Sequence, residues 1–174
     1  MTTPILNAIY KRRSIREFTD KPVEIEDLRE IVKAGIWAPS GLNNQPWRFV
    51  LISDTATRLQ LAEQTRYSHI VKAAPALIVV FLDTREVYNE VKDHQAAGAC
   101  IQNMLLATEE LGLGAVWLGE ILNRQEQVKQ IIGIGDEYDL MAIIAIGHPI
   151  HRNQSSKRKE INKLIVKEIL EAPK

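Results

Sequence analysis

The stretch that most limits how this chain can fold is "ALIVVFL", residues 76–82, an apolar run with no charge, glycine or proline. It is rich in β-branched and aromatic residues, which marks it as a buried strand. It falls far short of the ~18 apolar residues that would suggest a membrane span. "LMAIIAIG", residues 140–147, repeats the pattern and is stopped by Pro149. "RFVLIS", from Arg48, reads as a third buried strand, and "AVWLG", from Ala115, as a short strand or extended turn.

Helical stretches separate these runs. Thr3 before Pro4 is a good helix start, and Ile5, Leu6, Ile9 and Tyr10 have helical spacing. A second helix is expected over about 24–37, with Ile25, Leu28, Ile31, Val32 and Ile36 on one face. "APSGLNNQP" stops it, with Pro39 and Pro46 bracketing Gly41 and two asparagines. Asp54 or Thr55 caps a third helix running toward Tyr67. A long helix is expected over about 94–111, with Gly112 as its cap glycine, and its stripe of Ile101, Met104, Leu105, Thr108 and Leu111 reads as core. Asn123 and Glu126 have capping-box spacing for a helix closing at Gly133. "HRNQSSKRKE" is a polar loop, whereas "INKLIVKEIL" is apolar enough to be ordered, as a helix or an added strand. Taken alone, this order of elements suggests βαβ units in one domain, residues 1–174, with 150–174 as an extended tail.

Composition removes several function classes. With 22 basic and 22 acidic residues the chain lacks the basic excess of a dedicated nucleic-acid binder. Hydrophobic residues at 45% and charged ones at 25% are ordinary for a soluble globular protein, and no membrane partner is expected. The N-terminus places its charges after the apolar part, the reverse of a secretory signal. Cys100 is a lone cysteine, so no internal disulfide is available and a reducing cytoplasm is the expected compartment.

The sequence holds no self-sufficient catalytic apparatus. "LGLGA" and "GIGDEY" do not complete a dinucleotide fingerprint, and no Walker loop follows any glycine-rich turn. Of the histidines at 69, 94, 148 and 151 only "HPIH" brings two together, without cysteines or carboxylates to complete a tetrahedral set, so no metal is expected. Cys100 falls in the apolar part of a helix, where packing is the ordinary role. No catalytic side chain is assigned. What the chain does offer is "KRRSIREF", with Lys11, Arg12, Arg13 and Arg16 around the hydroxyl of Ser14. Guanidinium forks and a hydroxyl suit a phosphate monoester, although such a cluster is more often a solvated face. The amides of Asn43, Asn44 and Gln45 both donate and accept, which suits the edge of a heteroaromatic ring; the bland alternative is a plain turn.

"RRSIREF", "AGIWAPSGLNNQPWRFVLI", "GLGAVWLG" and a terminal "IAIGHP", taken in order, resemble the FMN-dependent nitroreductase family. The resemblance runs from Ile9 to the "KRK" at 157–159, nearly the whole chain. It implies an α+β fold in which a mixed, mostly antiparallel sheet is flanked by helices. It also implies FMN sites in a homodimer interface, with the 150–174 tail packing on the partner subunit. By position, Arg12 and Ser14 match the phosphate-binding pair, Arg13 adds charge or backbone, and Arg16 matches the basic residue near the pyrimidine edge of the flavin. Pro39, Ser40, Gly41 and Asn43 match the loop that meets the flavin from the other subunit, with Gln45 beside it. Leu118 and Gly119 match the backbone near the reactive edge of the ring, and Arg158 the late basic residue at the phosphate, with Lys157 its substitute.

The implied activity is ping-pong hydride transfer from NADH or NADPH to a nitroaromatic, quinone or similar small electrophile. Family relatives with dehalogenating or flavin-degrading activity, and a non-turnover FMN carrier or redox-responsive module, are the alternatives. Two departures stand out. Lys159 is followed by Glu160 where many relatives have proline, leaving the path of the tail open, and the lid region "DTREVYNEVKDH" is short.

Overall fold

The computed structural model describes residues 3–171. Four strands, β1 (Trp47–Ile52), β2 (Ala76–Asp83), β3 (Gly114–Leu118) and β4 (Tyr138–Gly147), form one sheet in the order β1-β2-β4-β3. All three strand pairings are antiparallel, so the sheet implied by the resemblance is present and the βαβ units suggested by element order are not. The reason is that β2 and β4, the two apolar runs, pair with each other along their full length despite the elements between them. Every residue of β2 is buried, as a strand covered on both faces must be.

On one face α2 (Ile25–Gly35) and α5 (Glu90–Glu110) pack Leu28, Ile31, Ile101 and Met104 onto Ile78, Val80, Ala142 and Ile144. On the other, α3 (Thr55–Ala62), α4 (Ser68–Ala73) and α6 (Gln125–Ile132) pack Leu61, Ile70, Val71 and Val128 onto Leu77, Val79, Phe81 and Ile143. The N-terminal helix α1 (Pro4–Lys11) starts at Pro4 as expected but buries none of its residues.

Several local expectations change. The helix over 24–37 is shorter, and Trp37 lies outside it, exposed. The helix expected to reach Tyr67 ends at Ala62, and a separate turn of helix, α4, follows. Glu120 accounts for the break: its carboxylate accepts from Thr65 Oγ1 at 2.6 Å and from the Arg66 N–H at 3.1 Å, fixing these residues in a turn. Helix α5 begins a turn earlier than 94, because the Asn89 side chain caps it by accepting from the Lys92 N–H at 3.1 Å. The capping box at Asn123 does not form: Asn123 sits inside a 3-10 turn, Glu120–Arg124, and Glu126 pairs instead with Lys129 at 2.8 Å. Gly112 and Gly133 do close their helices, at φ of 73° and 75°, in the left-handed region open to glycine.

Among the described residues the tail after Pro149 is neither helix nor strand apart from one 3-10 turn, Ile161–Lys163. Its apolar side chains from Ile161 to Leu170 are exposed. Residues 172–174 of the expected tail lie outside the described residues.

Candidate functional site

The sequence places Arg12 to Arg16 immediately after α1, where helical spacing ends. The segment then runs along the outer edge of β3: Ser14 forms a parallel bridge with Ala115, and the Ile15 N–H donates to Ala115 O at 3.0 Å. Gly114 makes this approach possible, since a Cβ there would stand 2.7 Å from the Cβ of Ile15. The side chains of Arg12, Arg13, Ser14 and Arg16 thereby line a cleft of about 190 Å³. Arg158 reaches the same cleft from the tail, together with Gln154, Ser155 and Ser156. Lys157 is not among its lining residues, which favours Arg158 of the two late basic candidates.

The electrostatics of this cleft are those of an anion site. Burial pushes the Arg12 guanidinium below its usual range, and the positive charges of Arg13 and Arg158 add to the effect, against a weaker opposing contribution from Glu109. None of the lining residues is a carboxylate. Arg13 donates to the carbonyls of Tyr10 and Arg12, yet its buried Nε has no partner among the described residues. A buried donor without an acceptor, beside cations that repel one another, is relieved by a phosphate-like anion. A phosphate monoester fits what these residues offer.

Arg16 also lines a second cleft, of about 420 Å³, with Arg66, Tyr67, Trp117, Leu118 and Gly119. Phosphate-type donors at one end and the end of a strand at the other thus share one arginine. Arg66 and Tyr67 were not legible as site residues, because they sit in the turn that Glu120 pulls out of the expected helix. Gln154, Ser155 and Ser156 carried a weak signal, the amide and hydroxyls preceding Arg158. A larger cleft of about 660 Å³ adjoins the second one at Trp117, which lines both, and runs between the first half of α5 and Met141 with none of these cations in its lining.

The other predicted group is not brought to this cleft. The 39–45 loop leads into β1, on the opposite edge of the sheet from β3, three strand spacings of ~4.8 Å away. Its backbone is unusual. Leu42, Asn43 and Gln45 all have positive φ, at 54°, 55° and 49°, a region costing a non-glycine residue roughly 1–2 kcal/mol. Ser40 Oγ accepts from the Gln45 N–H at 3.1 Å, and Gln45 Nε2 donates to Asn43 O at 3.1 Å, closing the loop on itself. Asn44 turns inward and donates through Nδ2 to Glu86 O at 2.9 Å and to Asp93 Oδ1 at 2.8 Å. Asp93 is fully buried. Burial works to raise its carboxyl, but the hydrogen bonds from Asn89, Asn44 and Tyr88 outweigh it and hold Asp93 below the usual carboxylate range.

The fold that carries this cleft and this loop is shared with known proteins. The nitroreductase family model matches residues 9–148. This chain belongs to the nitroreductase family. A relative from Archaeoglobus fulgidus, provisionally named NADH dehydrogenase/NAD(P)H nitroreductase, is 34% identical over 148 residues, covering 83% of this chain and 84% of its own. A Desulfovibrio desulfuricans protein assigned as a nitroreductase, whose crystal structure at 1.70 Å is a complex with FMN, superposes with a TM-score of 0.93. It is 50% identical and the match covers 98% of this chain and 99% of that one. The iodotyrosine deiodinase of Thermotoga neapolitana is 28% identical over 176 residues, covering 87% of this chain and 91% of its own. The nitroreductase fold expected from the sequence is therefore the fold observed.

Proposed function

We propose that this nitroreductase-family chain holds the phosphate of FMN with Arg12, Ser14 and Arg158, supported by Arg13, and lays the flavin ring past Arg16 toward Leu118 and Gly119. The chain is an FMN-dependent NAD(P)H oxidoreductase. The observation that carries the residue assignment is the meeting of Arg12, Ser14, Arg16 and Arg158 in one cleft with no carboxylate in its lining. When bound, FMN supplies two-electron redox chemistry between NADH or NADPH and a small electrophile such as a nitroaromatic or quinone. The protein's part is to grip, orient and bias. The guanidinium forks and the Ser14 hydroxyl fix the phosphate, and Arg16 sets a positive charge beside the ring.

The functional unit in this reading is a homodimer. Within one chain the 39–45 loop and the anion cleft lie at opposite edges of the sheet, so Pro39, Ser40, Gly41, Asn43 and Gln45 serve the flavin of a second copy. Exposed apolar residues support this: Ile5, Leu6, Ile9 and Tyr10 on α1, and Val166, Ile169 and Leu170 in the tail, are surfaces that a lone chain leaves in water. The chain, residues 1–174, acts as one domain whose 150–174 tail packs on the partner. Among the described residues no helix is long and apolar enough to cross a membrane. A reducing cytoplasm is part of the proposal, as is a small-molecule acceptor with neither nucleic acid nor membrane as partner.

The deciding experiment adds NADH or NADPH to the purified yellow protein without oxygen. Bleaching within seconds supports turnover, and reoxidation by a nitroaromatic or quinone completes it. A protein that neither carries nor takes up FMN sinks the reading. The deiodinase relative motivates a parallel assay with iodotyrosine, in which iodide release would move the activity to dehalogenation.

A further inference from the structure

The fully buried carboxylate of Asp93 has no role in the anion cleft, yet it joins three parts of the molecule. Its Oδ2 accepts from the N–H groups of Tyr88 and Asn89, both at 3.0 Å, at the start of α5. Its Oδ1 accepts from Asn44 Nδ2 at 2.8 Å, across 49 residues of sequence. The same Nδ2 donates to Glu86 O, so the short lid segment and the 39–45 loop are tied to one amide. Tyr88 completes the clasp: its ring lies where a Cβ on Gly41 would have to be, so the loop is packed against the lid as well as bonded to it.

This clasp grips the loop at its strained part. Asn44 has ordinary helical dihedrals but is flanked by Asn43 and Gln45, both in the left-handed region. A backbone held there at non-glycine positions persists only where surrounding contacts over-determine it. The hydrogen bonds that Gln45 donates to Ser40 Oγ and to Asn43 O close the loop on itself but do not anchor it to the body of the protein. Asn44 and Asp93 do.

We propose that Asp93 and Asn44 are positioning residues for the flavin ring: they hold the 39–45 loop in its left-handed form so that its polar groups meet the ring, without themselves touching the cofactor. This rests on the assignment of the loop to the flavin above. Removing the Asn44 amide leaves Asp93 one hydrogen bond short and frees the loop to relax toward conformations in which Ser40 and Asn43 are misdirected. Ring binding and ring potential then change while the phosphate grip does not.

Riboflavin, which has the ring but no phosphate, separates the two. Dissociation constants for FMN and riboflavin and the midpoint potential of bound FMN are measured for wild type, Asn44→Ala, Asp93→Asn, Asn43→Ala and Arg12→Ala, at concentrations where light scattering gives equal masses. The expected result is that Asn44→Ala and Asp93→Asn weaken both flavins by the same factor, about tenfold, and shift the potential, whereas Arg12→Ala weakens FMN alone. Where Asp93→Asn does not fold, Asn44→Ala decides by itself. Wild-type affinities and potential in Asn44→Ala, with Asn43→Ala impaired, overturn the positioning role and leave the loop assignment standing. Wild-type behaviour in both Asn43→Ala and Asn44→Ala overturns the loop assignment and the positioning role together.

Discussion

Gly114 and Ile15 are in contact so close that the strand edge carrying Ser14 exists in this position only because residue 114 has no side chain. The Cβ of an alanine at 114 would stand 2.7 Å from Ile15 Cβ and 2.8 Å from Cγ1 and Cγ2, and Ile15 is fully buried and cannot swing aside. Gly114→Ala is therefore expected to cost about 1–3 kcal/mol of stability, as overpacking does. It should also displace Ser14 and weaken FMN binding. Urea unfolding and a flavin titration check both, and an unaltered FMN affinity would detach Ser14 from the phosphate.

Arg158→Ala tests the grip of the tail on the phosphate. Binding of FMN should weaken by one to two orders of magnitude, the loss of about 1.5–3 kcal/mol for a hydrogen bond to a charged group. Riboflavin binding should stay as it was. Lys157→Ala should do much less, since that side chain does not line the cleft.

Arg16 lines both clefts and, among the described residues, donates only a long hydrogen bond, 3.4 Å, to Ser14 O, so its charge can act on a neighbour. A cation beside the ring favours the reduced, more negative flavin. Arg16→Gln should lower the midpoint potential by some tens of millivolts, with about 30 mV corresponding to ~1.4 kcal/mol for two electrons. Oxidised FMN should be held nearly as before. Spectroelectrochemistry decides; an unchanged potential with weakened FMN binding would move Arg16 to the phosphate.

Deleting the residues after Glu160 removes the exposed apolar tail. The full chain of 19.7 kDa should scatter light as a particle of twice that mass. The truncated chain should lose dimer and flavin together. A flavin-loaded monomer would be the contrary outcome.

Asp83 gives a pH signature. Hydrogen bonds from the Arg85 side chain at 2.8 Å, with further help from the Arg85 backbone and charge and from Arg48, push its carboxyl down to about 2 against the opposing effect of burial. A depressed folded-state value means stability that is present above the unfolded value of ~3.9 and lost as pH falls through the folded one. Asp83→Asn should destabilise the protein at neutral pH, with the difference shrinking between about pH 4 and pH 2. Thermal melts of both proteins across that range show it, and a constant difference would mean that Asp83 acts by packing alone.

Much of this protein is written locally. The apolar runs that became β2 and β4 needed only their own residues to be recognised, and Pro4, Gly112 and Gly133 mark helix ends because their backbone preferences are intrinsic. The basic cluster after α1 was equally visible, since its charge and spacing are properties of six consecutive positions. What local pattern misjudged was each place where a distant side chain intervened. Thr65 and Arg66 have no reason of their own to leave a helix; the Glu120 carboxylate takes them. Asn123 has the spacing of a cap, but Glu126 is drawn to Lys129.

Which segments are strands, where most helices stop and which residues gather charge can be read along the chain, because these depend on side-chain period, on φ preference and on neighbours within a few positions. The closed fold is what pairs β2 with β4 antiparallel and sets the anion cleft and the 39–45 loop on opposite edges of the sheet. It also brings Asn44 and Asp93 together across 49 residues. Strand order, register and the partner of a buried carboxylate are set by contacts between residues far apart in the chain, and those contacts form only when the whole core closes.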